Sequence, residues 1–109
     1  MTRTVSTFVE ESVRFVYPVS LDLSIIILNY KTHDLTLTCL ESLYTHTSNL
    51  EYETILVDNA SEDGVLETVK ECFPKTRTVC NLTNLGFSGG NNTGIRISKG
   101  RYVVLLNSD

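Results

Sequence analysis

The sequence lacks a long run of apolar residues. Its early apolar stretch, residues 23–28, is interrupted by Ser24 and is far too short to cross a bilayer. Near the amino terminus, Glu10, Glu11 and Arg14 occupy the region where a secretory signal needs an apolar segment. We therefore expect no transmembrane segment and no export signal. The expected location is the cytoplasm, either free or at the inner face of the membrane.

The sequence also lacks an excess of basic residues. Its nine Lys and Arg residues are outnumbered by thirteen Asp and Glu residues, which gives a formal net charge of −4. Proteins that bind nucleic acids usually present a basic surface, because binding releases counterions from the phosphates. The composition therefore predicts no nucleic-acid partner, and any nucleotide bound by the chain is expected to be a small one.

Cysteine is sparse and has no metal-binding spacing. The three cysteines, Cys39, Cys72 and Cys80, form no C-x-x-C pair and have no clustered histidines around them. This pattern argues against a zinc site. It favours buried, reduced thiols, with a disulfide or a reactive thiol as the alternative.

Two common glycine-rich nucleotide motifs are absent. A dinucleotide-binding domain has its glycines directly after the first strand, where this sequence has Asn29-Tyr30-Lys31-Thr32. No G-x-x-x-x-G-K-[ST] segment is present either, which argues against a P-loop nucleotide hydrolase. A nucleotide site in this chain must therefore be built in another way.

What the sequence contains is a regular alternation of apolar runs and amphipathic segments. The apolar runs have no helical period, which predicts buried strands at residues 23–28, 52–58, 76–80 and from about 101. A first helix is expected after an N-cap at Thr32, and a second one after a turn and N-cap in residues 59–61, ended by Pro74. This βαβαβαβ order predicts an α/β fold with three α/β/α layers and a mostly parallel sheet. We assign residues 1–20 to an N-terminal extension and residues 21–109 to the domain.

Residues 84–94 are the least expected segment. They contain four glycines and three asparagines, which are poor helix formers. This predicts a functional loop or a short helix with a flexible start, and Gly100 is expected to cap its end. The glycines would let the backbone approach a ligand closely, and tight packing of a helix on the sheet explains them equally well.

Three predicted strands end in polar residues. These tips are residues 29–31, residues 58–59 and residues 107–109. Because parallel strands deliver their carboxyl ends to one edge of a sheet, the three tips should converge on a small-molecule site. Asp58 alone is explained as well by an Asx-turn or a helix cap, and Tyr30 alone by packing on the adjacent helix.

Four segments together resemble a known family. They are Leu23-Ser24-Ile25-Ile26-Ile27-Leu28-Asn29-Tyr30, Ile55-Leu56-Val57-Asp58-Asn59-Ala60-Ser61, Asn84-Leu85-Gly86-Phe87 and Leu105-Leu106-Asn107-Ser108-Asp109. In this order and spacing they resemble the nucleotide-sugar half of inverting family 2 glycosyltransferases, in the rhamnosyltransferase-like branch of bacterial cell-surface polysaccharide synthesis. The resemblance implies the Rossmann-like GT-A fold, and it covers about residues 21–109.

The resemblance also implies roles for individual residues. Asn29 and Tyr30 would line the base and ribose, and Asp58 would accept a hydrogen bond from the base. Asp109 would hold Mg²⁺ or Mn²⁺ against the diphosphate of a UDP- or dTDP-sugar, and Asn107 stands where a full D-x-D motif has an acid. The residues that the resemblance assigns to the nucleotide sugar are Leu28, Asn29, Tyr30, Asp58, Asn84, Gly86, Gly89, Asn91, Asn107 and Ser108.

The implied reaction is a direct displacement at the anomeric carbon of the sugar. A saccharide or lipid-linked acceptor hydroxyl attacks as the nucleoside diphosphate leaves, with a general base expected beyond Asp109. The expectation is therefore a donor-binding part that is inactive alone. The alternative is a non-catalytic nucleotide-binding or assembly module that keeps the fold. A bare sheet edge further predicts self-association into dimers or higher oligomers.

Overall fold

The structure is a computed structural model that describes residues 21–108, so the predicted N-terminal extension and Asp109 lie outside the described residues. Strands and helices alternate along the chain, as the sequence predicts. They are β1 (Leu21–Asn29), α1 (His33–His46), β2 (Tyr52–Asp58), α2 (Val65–Cys72), β3 (Arg77–Cys80), α3 (Gly86–Ile97) and β4 (Gly100–Leu106).

The four strands form one parallel sheet in the order β3-β2-β1-β4. In this register Asn29 lies beside Asp58, Asp58 beside Cys80, and Ile27 beside Leu106. The carboxyl ends of all four strands therefore meet at one edge of the sheet, which we call the carboxyl edge. The predicted α/β fold with a mostly parallel sheet is confirmed.

The helices cover both faces of the sheet. On one face, Ile27 and Leu56 pack with Leu40 of α1 and with Val65 and Val69 of α2. On the other face, Ile26, Ile55 and Val57 pack against Ile95 and Ile97 of α3. The central strands are apolar on both faces because both faces are buried, which explains why their sequences show no alternation.

Two predicted local features differ in the structure. Helix α2 begins at Val65 after Gly64 in the left-handed conformation, not after an N-cap in residues 59–61. The reason is that the Ser61 hydroxyl donates to Asp58 and the carboxylate of Asp63 accepts from the Val65 N–H. Gly100 does not cap a helix, because it is the first residue of β4.

Residues 84–94 do not form a loop. From Gly86 onward they belong to α3, a regular helix of 12 residues. A Cβ on Gly94 would lie 2.7 Å from Cγ2 of Ile26, and one on Gly90 would lie 2.5 Å from Cδ1 of Leu28. The helix therefore packs closely on the sheet, which is the alternative explanation for its glycines.

The cysteines also differ from expectation. Cys72 and Cys80 are exposed, Cys39 is partly buried, and all three are free thiols. The prediction of buried thiols is wrong for Cys72 and Cys80, since one is the last residue of α2 and the other the last residue of the outer strand β3. Within residues 21–108, no helix is long and apolar enough to cross a membrane.

Candidate functional site

The candidate site lies at the carboxyl edge, where β1 and β2 end side by side. Asn29 is the last residue of β1 and is completely buried, and Asp58 is the last residue of β2 and is 5% exposed. The Nδ2 of Asn29 donates to Oδ1 of Asp58 over 2.9 Å. Two side chains that are 29 positions apart in sequence are thus joined directly.

Asn29 has polar partners on both sides of its amide. Its Oδ1 accepts hydrogen bonds from the hydroxyls of Thr36 at 2.7 Å and Thr32 at 3.1 Å. Its Nδ2 faces Ser61 Oγ at 3.0 Å and Asp63 Oδ2 at 3.2 Å as well as Asp58. Asn29 therefore links the start of α1 to the turn that follows β2.

The Asp58 carboxylate is anchored through one oxygen. Its Oδ1 accepts from Asn29 and, at 2.5 Å, from the Ser61 hydroxyl. Its Oδ2 takes part in none of the hydrogen bonds among residues 21–108. An anchored carboxylate with one oxygen unused is a preformed acceptor for an N–H or O–H donor.

Asp63 is a second acid in the same cluster. Partial burial alone would raise the pKa of Asp63. Hydrogen bonds from Asn29 and from the backbone N–H of Val65 outweigh this, and they hold the pKa below its usual value. Asp63 is therefore ionised at neutral pH and adds negative charge behind Asp58.

A second network of buried amides holds the start of α3. The Asn59 Nδ2 donates to the carbonyl of Gly86 at 3.0 Å, and its Oδ1 accepts from the backbone N–H of Leu85 at 3.1 Å. Asn81 donates to the same Oδ1 at 3.0 Å and accepts from the Thr93 hydroxyl. The residue next to Asp58 therefore fixes where the glycine-rich helix begins.

The residues expected on and before α3 have mainly structural contacts. Asn84 Oδ1 accepts from the backbone N–H of Gly86, which has a left-handed φ of 78°. Asn91 is buried and donates to the carbonyl of Phe87 at 2.9 Å. A Cβ on Gly89 would lie 2.8 Å from Cβ of Leu85.

The expected site residues are divided among separate depressions. Asp58 lines a cavity of about 260 Å³ together with Ala60, Asn81 and Leu82. A smaller cavity of about 80 Å³ brings together Leu28, Asn91 and Asn107 with Phe87. Ser108 borders a shallow groove beside α1, whereas Tyr30, Asn84, Gly86 and Gly89 line none of these depressions.

Tyr30 stands at the outer rim of the carboxyl edge. The residue is 41% exposed, and the Lys31 Nζ lies 5.3 Å from its ring centroid. The alternative of a ring packed away on the helix is not supported by this exposure. Three residues near the tips of β1 and β2 adopt a left-handed backbone conformation that is uncommon outside glycine, and they are Lys31, Ala60 and Glu62.

A more voluminous cavity, about 580 Å³, lies at the opposite edge of the sheet, where the strands begin, which we call the amino edge. Its walls include Tyr44, Tyr52 and Phe73, whose rings stack in a row with centroid distances of 6.3 and 5.9 Å. Cavity volume alone would therefore favour a ligand site at the amino edge. The buried acid with an unused oxygen favours the carboxyl edge, which we take as the candidate site because specificity needs placed polar groups.

A divalent cation would need ligands beyond those that the described part of the chain offers. No group of three or more His, Cys, Asp or Glu side chains within residues 21–108 could hold a metal ion. Asn107 and Ser108 supply an amide oxygen and a hydroxyl, which are oxygen ligands of the kind Mg²⁺ and Mn²⁺ accept. These residues fit a cation only as weak contributors, and Asp109 lies outside the described residues.

Sequence reasoning missed several residues that build this site. Asp63 and Asn81 were not predicted at all, whereas Asn59 was expected only as part of a strand tip and Ser61 only in a turn or helix cap. In the structure Ser61 and Asp63 bind the Asn29–Asp58 pair, and Asn59 and Asn81 hold the start of α3. The polar run after β2 was visible in the sequence, but its partners are 30 or so positions away along the chain. Only the parallel register brings them together.

The fold and this edge define an α/β protein with a parallel sheet and a polar carboxyl edge, and comparison with known sequences identifies its family. The family described as Glycosyl transferase family 2 matches residues 24–109. The chain therefore belongs to glycosyltransferase family 2.

Individual relatives give the scale of the similarity. The poly(ribitol-phosphate) beta-glucosyltransferase of Bacillus spizizenii is 36% identical over 92 residues, which are 80% of this chain and 14% of that protein. The curated relatives that match are covered over only 14% to 34% of their length. The chain thus spans about a third or less of the length of these proteins.

Solved structures share the fold. Residues 1–349 of S. aureus TarS in complex with UDP-GlcNAc superpose with a TM-score of 0.73 at 25% identity, over 82% of this chain and 27% of that one. The mannosyltransferase PcManGT of Pyrobaculum calidifontis, in complex with GDP-Man and Mn²⁺, superposes with a TM-score of 0.70 at 23% identity. The superposition covers 94% of this chain and 34% of the PcManGT chain, and at this identity the similarity shows a shared fold only.

Proposed function

We propose that residues 21–109 are the donor-binding half of a glycosyltransferase and bind a UDP- or dTDP-sugar at the carboxyl edge. The observation that carries the proposal is the Asp58 carboxylate, whose Oδ1 is anchored and whose Oδ2 is unused by residues 21–108. Uracil and thymine each present an imino N–H, which a fixed carboxylate oxygen can accept. The UDP-GlcNAc bound by TarS supports this class of ligand.

The roles of the other residues follow from where they lie. Tyr30, exposed at the rim, offers a ring on which the base can stack. Leu28, Asn91 and Asn107 share the small cavity beside α3, where one group of the sugar or of its diphosphate would lie. Asn84, Gly86 and Gly89 would place the start of α3 beside the ligand. Ser108, which follows β4, would lie next to the ligand.

A metal ion is proposed at Asp109, with Asn107 and Ser108 as weak neighbours. Mg²⁺ or Mn²⁺ bound there would neutralise charge on the diphosphate leaving group. Support for the metal comes from the position of Asp109 at the end of a D-x-D-like sequence and from the oxygen ligands beside it. The chain's own residues would orient the base and hold the sugar in place.

The acceptor is proposed to be a saccharide or a lipid-linked saccharide of a cell-surface polymer. The polymer named for the Bacillus relative supports a surface-polymer role. We propose that residues 21–109 alone bind the donor without transferring the sugar, because none of the residues assigned to the site is a general base for the acceptor hydroxyl. The three free cysteines are consistent with a reducing compartment such as the cytoplasm, at or near the inner face of the membrane.

Calorimetric titration of the 109-residue chain with UDP and with dTDP, each with and without Mn²⁺, tests the proposal. We expect metal-dependent binding that weakens about tenfold or more in Asp58→Ala and in Asp109→Ala, because each loses a charged contact. Asp34→Ala is the matched control, because that side chain is 97% exposed on α1, and it should bind as the wild type does. Absence of binding to either nucleotide would overturn the proposal.

A further inference from the structure

The Asn29 side chain is completely buried, so it is an unsuitable contact for a ligand. Its carboxamide instead lies between the hydroxyls of α1 and the acids after β2. The two hydroxyls on one side, from Thr32 and Thr36, donate to the amide oxygen. A flipped amide would turn its oxygen toward the Asp58 and Asp63 carboxylates, which can only accept.

We infer that Asn29 is a positioning residue, which fixes the rotation of the Asp58 carboxylate and thereby sets which nucleobase the site accepts. The inference rests on the proposed function. Asn29 and Ser61 together hold Oδ1, so that Oδ2 keeps one direction. A carboxylate held in one direction matches one donor position on the base and cannot turn to follow another.

The hydrogen bonds of Asn29 leave its amide no free group for a ligand. Its Nδ2 has two N–H groups and lies within 3.2 Å of oxygens from Asp58, Ser61 and Asp63. Without this donor the carboxylates of Asp58 and Asp63 would face each other across a partly buried space, where like charges repel. The same amide therefore bridges the two carboxylates and orients that of Asp58.

The consequence is discrimination between uracil and cytosine. Uracil presents an N–H at ring position 3, whereas cytosine presents a lone pair there and an amino group next to it. A fixed Oδ2 accepts a hydrogen bond from the uracil N–H and is repelled by the cytosine lone pair. A carboxylate free to rotate could accept from the cytosine amino group, so loss of the anchor should relax the selection as well as weaken binding.

The test is titration of the 109-residue chain with UDP and with CDP in the presence of Mn²⁺, for the wild type and for Asn29→Ala. The wild type should prefer UDP by at least about tenfold, and the ratio should fall to about threefold or less in the variant. A purely structural role would weaken both nucleotides equally and leave the ratio unchanged. That result would overturn the inference.

Two further variants keep the test decisive if Asn29→Ala does not fold. Ser61→Ala removes the other donor to Oδ1, and Thr36→Val removes the shortest hydrogen bond that orients the Asn29 amide without touching Asp58. Both variants should lower the ratio of UDP affinity to CDP affinity, and an unchanged ratio in both variants contradicts the inference. Ser24→Ala is the control, a buried serine of the same strand near its other end, and should keep the ratio.

The outcomes separate the inference from the proposed function. If the wild type binds neither nucleotide, the donor site itself is wrong. If it binds both equally, the Asp58 contact with the base is wrong. If it prefers UDP and Asn29→Ala prefers it to the same degree, only the positioning role fails.

Discussion

At the scale of single residues, the polar groups near the candidate site mostly serve to build it. Asn29, Asn59 and Asn91 are buried, and each amide is hydrogen-bonded within the fold. An unpaired buried amide would cost on the order of 2 kcal/mol, so these contacts are part of the stability of the edge. The groups left for a ligand are few, and Asp58 Oδ2 is the best placed of them.

Gly94 gives a prediction about the close approach of α3 to the sheet. A Cβ there would lie 2.7 Å from Cγ2 of Ile26 and 3.1 Å from Cγ2 of Val57, and both side chains are fully buried and stiff. We expect Gly94→Ala to lower the free energy of unfolding by about 1–2 kcal/mol, because overpacking exceeds the gain in helix propensity. Urea denaturation measures the change.

Asn92→Ala is the matched control for this prediction. Asn92 lies on the exposed side of the same helix, so alanine should raise the free energy of unfolding by a few tenths of a kcal/mol. If Gly94→Ala were as stable as Asn92→Ala, the helix would not be in close contact with the sheet.

At the scale of elements, Glu53 of β2 joins the neighbouring strands near the amino edge. Its carboxylate accepts from Ser24 of β1 at 2.5 Å, from Arg77 of β3 at 2.8 Å and from the backbone N–H of Lys99 at 2.6 Å. Burial alone would raise the pKa of Glu53, but these hydrogen bonds and the charge of Arg77 hold it below the usual value of 4.5.

The Glu53 contacts predict a pH-dependent stability. Because the folded pKa is lower than the unfolded one, the stabilisation is complete above about pH 4.5 and is lost as pH falls through the folded pKa. Glu53→Gln should lower the free energy of unfolding by about 2 kcal/mol at pH 7 and by much less at pH 3. Urea denaturation at both values checks this, with the exposed Glu41→Gln as control. An equal loss at both pH values would contradict the account.

The elements differ in how well the sequence predicts them. Strand β2 was predicted at residues 52–58 and is found there, because its centre, residues 55–57, is a continuous apolar run that is buried on both faces. Helix α3 was not predicted as a full helix, because its glycines have low intrinsic propensity and the helix is stabilised by packing on Ile26 and Leu28. Propensity is local, whereas that packing depends on a strand about 65 residues earlier.

The candidate site, too, could be predicted only in part. The polar tips of β1 and β2 were predicted to meet, and Asn29 and Asp58 do so through one hydrogen bond. That Asn29 would be buried behind Asp58 could not be predicted, because it depends on how α1 and the turn after β2 fit together. The ligand contacts of the expected residues remain predictions for the titrations described above.

At the scale of the whole molecule, β4 is an outer strand of the described sheet and leaves apolar side chains exposed. Tyr102, Val104 and Leu105 are 64%, 38% and 47% exposed. An apolar outer strand with unpaired backbone groups favours pairing with another chain. We expect the 109-residue chain to form dimers or higher oligomers through this edge.

Sedimentation equilibrium at rising concentration measures this association. Val104→Lys places a charge on the outer strand and should shift the population toward monomer, because lysine on an edge opposes strand pairing. A wild-type chain that stays a uniform monomer at high concentration would contradict the prediction, as would a lysine variant that associates equally.

The most direct test of the central claim is to map where UDP binds, by amide chemical-shift changes in the isotope-labelled 109-residue chain. Our account predicts that changes on addition of UDP and Mn²⁺ concentrate at the carboxyl edge, around Tyr30, Asp58 and Asn107. Changes concentrated instead around Tyr44, Tyr52 and Phe73, which line the larger cavity at the amino edge, would contradict it.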